Sequence, residues 1–371
     1  MSRARDLRVT VVSHPAILPS NQEVYRALLE RGFDVQLVVP TSWPHPYQDD
    51  PLLPVALEGM EGRLHPVPVA LSGRPQRHVP LRSPRGILRH LQPEVLVIEE
   101  EPFAVATAVW ARAAWKLRIP FGVQIDENMD RPMPGAAKRW RTTVLERASF
   151  VMARSDQAID QARAWGASGE VAMIAHAVEA WEQPAHVVDE RFRIGYIGRL
   201  VAEKGLADLL DAAELMSPPP RLVLVGSGPM AGQLGRSPLV ELRAPVPHHE
   251  IPRVMAELDV LALPSRSTAT WTEQFGRVLV EANVCAVPVV GSDSGEIPWV
   301  ISTTGGGVIV PEGDPAALAD ALSGLRDDPA RARALGSTGR SSVLSTFSVD
   351  VVTDKLAQML RRASGERISS S

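Results

Sequence analysis

The chain is short of several things, and each shortage narrows its chemistry. Of 371 residues only Cys285 is cysteine, which excludes an internal disulfide and any cysteine-cluster metal site. Its setting, Glu281-Ala-Asn-Val-Cys-Ala-Val-Pro288, is apolar and near a helix end, so the thiol reads as a small buried hydrophobe rather than a nucleophile. Lysine is scarce: Lys116, Lys138, Lys204 and Lys355 are four of 39 basic residues, and the rest are arginine. Long apolar runs are missing too. The longest, Phe103 to Trp115, is broken by Arg112 and falls short of the roughly 20 residues a bilayer span needs. The opening Met1-Ser-Arg-Ala-Arg-Asp-Leu has no charged-then-apolar targeting design, so a cytoplasmic protein is expected. A net charge of -4 gives nothing that points to nucleic acid.

What the chain does have is alternation. Apolar segments of strand length recur at Val9–Val12, Asp34–Val39, Val95–Ile98, Phe121–Ile125, Phe150–Ala153 and Val171–Ile174. A second set follows at Arg193–Ile197, Arg221–Val225, Val240–Arg243, Val260–Leu263, Val289–Gly291 and Gly307–Val310. Helical patterns such as Gln22–Arg31, Ala104–Leu117 and Gly205–Leu215 lie between them. Strand and helix in turn mean βαβ units and parallel sheets. Two sets of about six strands mean an α/β protein of two Rossmann-like, doubly wound domains. The boundary is expected in the polar stretch 180–190, giving domains 1–185 and 186–348. A helix over 349–362 and a frayed tail over 363–371 complete the chain. Residues Thr41–Leu91 are rich in proline and read as a long irregular insertion. Within it Arg63, Arg74, Arg77, Arg82, Arg85 and Arg89 occur in a stretch, 62–93, that has no acidic residue. That stretch suits a solvated face, an anionic acceptor or a peripheral contact with an acidic membrane.

Three motifs carry chemistry. After the strand Arg193–Ile197 comes Gly198-Arg-Leu-Val-Ala-Glu-Lys204-Gly205, where Arg199 and Lys204 form a cationic mouth suited to a diphosphate. The next strand ends in Val225-Gly226-Ser-Gly228-Pro-Met-Ala231. This satisfies the dinucleotide fingerprint literally, but Pro229 sits inside the turn and no strand with an acidic end follows at the right distance. A close backbone turn beside a nucleotide is therefore expected rather than a nicotinamide site. Finally, Glu273 and Glu281 stand eight residues apart, two helical turns and a little, so one helix is expected to carry both on nearly one face, with Glu273 at its start. Carboxylates there accept bonds from hydroxyls, and the amides of a helix start meet phosphate.

From Arg193 to Phe347 the chain resembles, in register, the nucleotide-sugar half of glycosyltransferase family 4, retaining enzymes with the GT-B fold. The matching text runs through Gly195-Tyr-Ile-Gly-Arg-Leu-Val-Ala-Glu-Lys-Gly-Leu206, Leu224-Val-Gly-Ser-Gly-Pro229, Asp259-Val-Leu-Ala-Leu-Pro-Ser265, Glu273 to Glu281 and Val287-Pro-Val-Val-Gly-Ser-Asp-Ser-Gly-Glu-Ile-Pro298. The resemblance implies two Rossmann-like domains facing across a cleft, with the donor on the second and the acceptor on the first. It implies that Arg199 and Lys204 hold the donor diphosphate and Glu273 the hydroxyls of the transferred sugar, these three being the catalytic set. Glu281 would bind the ribose, with Gly198, Gly226, Gly228, Phe275, Gly276, Arg277 and Val278 lying against the donor. No D-x-D occurs, which fits a metal-independent transferase whose co-substrate is a UDP- or GDP-sugar and which needs no further cofactor.

The first half resembles the family more weakly, through Glu99-Glu-Glu-Pro-Phe103 and Leu145 to Ser155. It departs from the family twice. The first strand-to-helix turn, Ser13-His-Pro-Ala-Ile-Leu-Pro-Ser-Asn21, has no glycine pair, and Asp126-Glu127-Asn128 stands where a histidine is usual. His14, Glu101, Glu127 and Asn128 are the candidates for acceptor or sugar contacts, with Glu100 beside them. The departures keep two rivals open: a nucleotide-sugar epimerase on the same scaffold, and a donor-binding protein without transfer activity.

Overall fold

The computed structural model describes residues 6–44, 50–130, 132–187 and 189–365. Residues 1–5 of the opening segment, and 366–371 of the expected tail, lie outside that set. The chain forms two compact units: residues up to Ala177 together with those from Val349 onward, and Val178–Ser348.

In the first unit the strands are β1 (Leu7–Val12), β2 (Phe33–Pro40), β3 (Leu64–Val67), β4 (Val69–Ala70), β5 (Val79–Pro80), β6 (Val95–Ile98), β7 (Phe121–Ile125), β8 (Phe150–Ala153) and β9 (Glu170–Met173). Seven make one sheet in the order β3-β2-β1-β6-β7-β8-β9, parallel at every pairing. Chain direction across the sheet reverses between β1 and β6. Alternate side chains feed two cores: Val95 and Val97 join Leu28 and Phe33 on one face, while Leu96 and Ile98 join Trp110 and Phe121 on the other. Burial on both faces is why these strands read as unbroken apolar runs. The helix Val349–Ser364 belongs to this unit, adding Val352, Leu356, Met359 and Leu360 to the first of those cores. Arg31 Nε reaches Asp354 of that helix at 2.6 Å.

The insertion read as irregular holds more structure than its composition suggests. It supplies the edge strand β3, the antiparallel pair β4–β5 and the helix Pro84–Leu91. Pro66 sits inside β3, and an edge strand is where a sheet tolerates proline. In the helix, Pro84 occupies the first turn, and Ser83 Oγ accepts from Gly86 N at 3.3 Å.

The second unit has β10 (Arg193–Ile197), β11 (Arg221–Val225), β12 (Val240–Arg243), β13 (Val260–Leu263), β14 (Val289–Ser292) and β15 (Gly307–Val310). They form one parallel sheet in the order β12-β11-β10-β13-β14-β15, reversing between β10 and β13. Its start at Val178 precedes the boundary expected near residue 186. Val178 N donates to Phe347 O at 2.9 Å, and Arg340 Nη2 donates to Trp181 O at 2.9 Å. A loop-like composition hid the fact that these residues fold back onto the unit's closing segment. Among the described residues no helix is long and apolar enough to cross a membrane.

Candidate functional site

Open parallel sheets take ligands beyond the carboxyl ends of their strands, where the strand order reverses. In the second unit that point is occupied by the loops after β10 and β13. Gly205 follows Lys204 at φ +66°, and a Cβ there would overlap the Pro264 carbonyl oxygen. Only glycine permits this approach, which brings the β10 loop against the β13 loop. Lys204 Nζ lies 2.5 Å from Glu273 Oε2, and Ser265 Oγ donates to the same oxygen at 2.8 Å. The ion pair is largely withdrawn from water, its side chains 13% and 10% exposed. Lys204 Nζ also stands 5.0 Å from the centre of the Trp271 ring, within cation–π range.

The expectation that one helix presents both glutamates is corrected here. The helix spans Arg277–Val284, with Gly276 as its N-cap, so Glu273 lies in the loop before it and only Glu281 is helical. Glu273 is fixed by its backbone, whose carbonyl accepts from Glu296 N at 2.9 Å. Glu281, also buried, forms an ion pair with Arg277 one turn earlier at 2.9 Å and meets His248 Nε2 at 3.0 Å. On the other ring nitrogen, His248 Nδ1 is 3.5 Å from Glu179 Oε1, and the ring centre is 5.1 Å from Trp181. Burial alone would lower the His248 pKa, but the bonds to Glu179 and Glu281 outweigh it and push it up to about 9. His248 is therefore an imidazolium at neutral pH. The hydrogen bond to His248 in turn lowers the Glu179 pKa.

The glycine turns lie on one another. Gly198 N donates to Val225 O at 3.0 Å, Leu200 N to Ser227 O at 2.9 Å, and Met230 N to Leu200 O at 3.0 Å. A Cβ on Gly226 would overlap the Gly198 carbonyl, and one on Gly228 the Leu200 carbonyl. The helix after this turn is a single turn, Ala231–Leu234. Arg199 extends an exposed side chain from the stack, while its carbonyl accepts from Tyr196 Oη at 2.7 Å. Phe275 points inward among Trp299 and Phe347, so its backbone, with those of Gly276 and Val278, is what the helix start offers a ligand.

In the first unit the reversal between β1 and β6 places His14 beside Glu100. His14 Nδ1 is 2.8 Å from Glu100 Oε1, and His14 N donates to the same oxygen at 3.0 Å. Burial works to lower the His14 pKa, but Glu100 outweighs it and the net shift is upward. The ring rests 4.7 Å from that of Trp43, which meets His78 edge-on at 5.2 Å. With Nδ1 committed to the carboxylate, Nε2 is the ring atom left for a further partner.

Glu101 follows Glu100 in the loop after β6. Its Oε1 accepts from Asp126 N at 2.8 Å and Glu127 N at 2.9 Å, so it shapes the loop after β7. Burial and the neighbouring Asp126 raise its pKa well above the usual carboxylate range. Glu127 is itself buried, its Oε1 accepting from Met129 N at 3.3 Å, and Asn128 follows, half-buried. Asp126 faces Arg154 at 3.4 Å and His176 at 3.3 Å; burial opposes its ionisation, but these partners win and hold its pKa down at about 2.

Sequence reasoning missed Ser265 and His248 as site residues. Ser265 lies in the matched Asp259–Ser265 text, directly after a strand, and that position was its signal. His248 gave none, because its contact with Glu281 spans 33 residues of sequence. Among the described residues no three His, Cys, Asp or Glu side chains gather to hold a metal ion.

Residues 178–342 match the family model "Glycosyl transferases group 1", and residues 19–177 match "Glycosyl transferase 4-like domain". Alpha-maltose-1-phosphate synthase of Mycolicibacterium smegmatis is 30% identical over 190 residues, 46% of this chain and 48% of that one. A GDP-mannose-dependent alpha-(1-6)-phosphatidylinositol monomannoside mannosyltransferase of the same species is 33% identical over 176 residues, 44% and 46% of the two chains. The chain spans just under half the length of these relatives. Among solved structures, HepE of Anabaena in complex with UDP-glucose superposes with a TM-score of 0.71 at 18% identity, covering 96% of this chain and 100% of that one. The two matched models together run from residue 19 to 342, the two sheets match the fold of that structure, and the chain belongs to the group 1, family 4-type glycosyltransferases of GT-B fold.

Proposed function

We propose that the chain is an enzyme that moves a sugar from a nucleoside-diphosphate sugar to an acceptor hydroxyl with retention at the anomeric carbon. The donor is held by the second unit and the acceptor by the first. One observation carries this reading: Lys204 and Glu273 are in contact at 2.5 Å. A cation for phosphate and a carboxylate for hydroxyls, placed side by side, suit a ligand in which the anion and the polyol are covalently adjacent. The glycosyl phosphate linkage is such a ligand. Glu281 on the following helix then takes the ribose hydroxyls, exchanging contacts with Arg277 and His248 for them.

In the reaction the bond from the anomeric carbon to the phosphate oxygen breaks, and the bond to the acceptor oxygen forms on the same face. The acceptor proton passes to the departing phosphate oxygen. Arg199 and Lys204 stabilise the charge that develops on the diphosphate, and Glu273 orients the sugar. The nucleotide is of the UDP or GDP class, as with HepE and the mannosyltransferase relative. No metal or further cofactor enters. His14, fixed by Glu100, and the loop 126–128 serve the acceptor side. One relative is named for making alpha-maltose-1-phosphate and another for mannosylating a phosphatidylinositol monomannoside, both phosphate-bearing compounds, and the exposed Arg74, Arg77, Arg82, Arg85 and Arg89 suit an anionic acceptor here. The protein works in the cytoplasm.

The test is incubation with UDP-glucose, UDP-N-acetylglucosamine and GDP-mannose, following released nucleoside diphosphate and the recovered sugar. Release that disappears in K204A, with an axial-for-axial product by NMR, supports the proposal. An epimerised sugar, or binding with no release from any donor, overturns it.

A further inference from the structure

The first unit carries a concavity away from the loops described above. The helices Val105–Leu117 and Gly135–Arg147 enclose a groove of about 770 Å³. Its floor includes the buried Phe121 and Val144, and Trp115 and Trp140 stand along it. Every charged side chain lining it is a cation: Arg112, Lys116, Arg139 and Arg147. A neighbouring hollow of about 570 Å³ shares Trp115, Lys116 and Arg147, adds Arg118, and again has no acidic lining residue. On both helices the groove residues recur at intervals of three and four, so each helix turns one whole face to it. The first helix has no acidic residue, and the second has only Glu146, which is not among the residues lining the groove.

Phe121 begins β7, whereas Asp126, His14 and Glu100 follow the carboxyl ends of β7, β1 and β6. The groove therefore lies toward the opposite end of the sheet from the candidate acceptor residues. Trp115 is 51% exposed, with the Arg147 guanidinium 3.9 Å above its ring. A tryptophan held at the surface by a cation is the arrangement of a side chain with one apolar face and one wet face, as found at membrane interfaces.

We infer that this groove is the docking surface for an anionic phospholipid bilayer, with the four cations on the headgroup phosphates and the Trp-walled floor accepting acyl chain. The charge complementarity selects the occupant. A purely ionic polymer has no use for a floor of Phe121, Ala111 and Val144, and an uncharged apolar ligand has none for four cations in a groove with no acidic residue in its lining. The sequence alone offers the arginines of 63–89 as a membrane contact; the groove sets its cations around a buried apolar floor. This inference is independent of sugar transfer, since it concerns the first unit's outer helices only.

The full chain is tested by co-sedimentation with phosphatidylcholine vesicles made with and without phosphatidylglycerol. Partition should favour the anionic vesicles and fall as salt is raised. R112A/R139A should lower partition by roughly 25-fold, at about fivefold per cation removed. R112K/R139K, which keeps the charges, should restore it, and R74A/R77A on the other arginine stretch should leave it unchanged. Thermal melting matched to wild type verifies the fold of each variant. Equal partition to both vesicle types, unchanged partition of R112A/R139A, or loss in R74A/R77A instead would each overturn the assignment.

Discussion

His248 is expected to make the stability of the second unit depend on pH in an unusual direction. It stands between two carboxylates, 3.0 Å from Glu281 and 3.5 Å from Glu179, and they push its pKa from 6.5 up to about 9. The raised group contributes its stabilisation in full below its unfolded value of 6.5. That contribution declines as pH climbs and is gone once pH has risen through about 9. A shift of that size, at 1.36 kcal/mol per unit, is on the order of 3 kcal/mol. H248Q keeps the size and a hydrogen-bonding end but cannot titrate. Denaturant unfolding of both proteins below pH 6.5 and above pH 9 should therefore show a gap between them that nearly closes at the higher pH. The same variant identifies which of the nine histidine ring signals in the NMR spectrum belongs to His248, and that signal should titrate near 9. A midpoint near 6.5, or a gap unchanged across the window, would refute the reasoning that two carboxylates hold the imidazolium.

Three further outcomes follow from the geometry. E281A should weaken binding of the bare nucleoside diphosphate by about 1.5–3 kcal/mol for each hydroxyl bond lost, read by calorimetry; wild-type affinity would remove Glu281 from the site. K204A should cut turnover by roughly 100-fold or more while the bare nucleoside binds almost as before, and equal losses in both would argue against a role at the diphosphate. G226A should lower the melting temperature of the second unit, because its Cβ would meet the Gly198 carbonyl at a backbone conformation of φ +155°. A cost of about 2 kcal/mol corresponds to a fall of roughly 4–8 °C, and an unchanged melting point would mean the two turns separate easily.

The sequence made the strands of both sheets legible because parallel strands buried on two faces are unbroken apolar runs, as at Val95–Ile98 and Val260–Leu263. The edge strand Leu64–Val67 escaped because it is half-exposed and holds a proline. Of the candidate site, the segments were visible but their contacts were not. Eight-residue spacing suggested two glutamates on one helix, yet Gly276 starts the helix only after Glu273 has passed. The partner each carboxylate meets is far off in sequence: Lys204 for Glu273, 69 residues away, and His248 for Glu281. Periodicity reports on local geometry, and neither pairing is local. His14 and Glu100 illustrate the same limit, being joined across 86 residues by the neighbouring of β1 and β6.

The placement of the last helix governs the order in which the protein can be built. Val352, Leu356, Met359 and Leu360 complete a core whose other members, among them Leu28 and Phe33, belong to the opening part of the chain. During synthesis that core must wait, with an apolar face uncovered, until the final helix has emerged. Val178–Ser348 is continuous in sequence, and its two ends meet where Val178 bridges to Ser348. The unit made second therefore has all its parts before the unit made first. A chain stopped at Ser348 would hold a finished second unit attached to a first unit that cannot close.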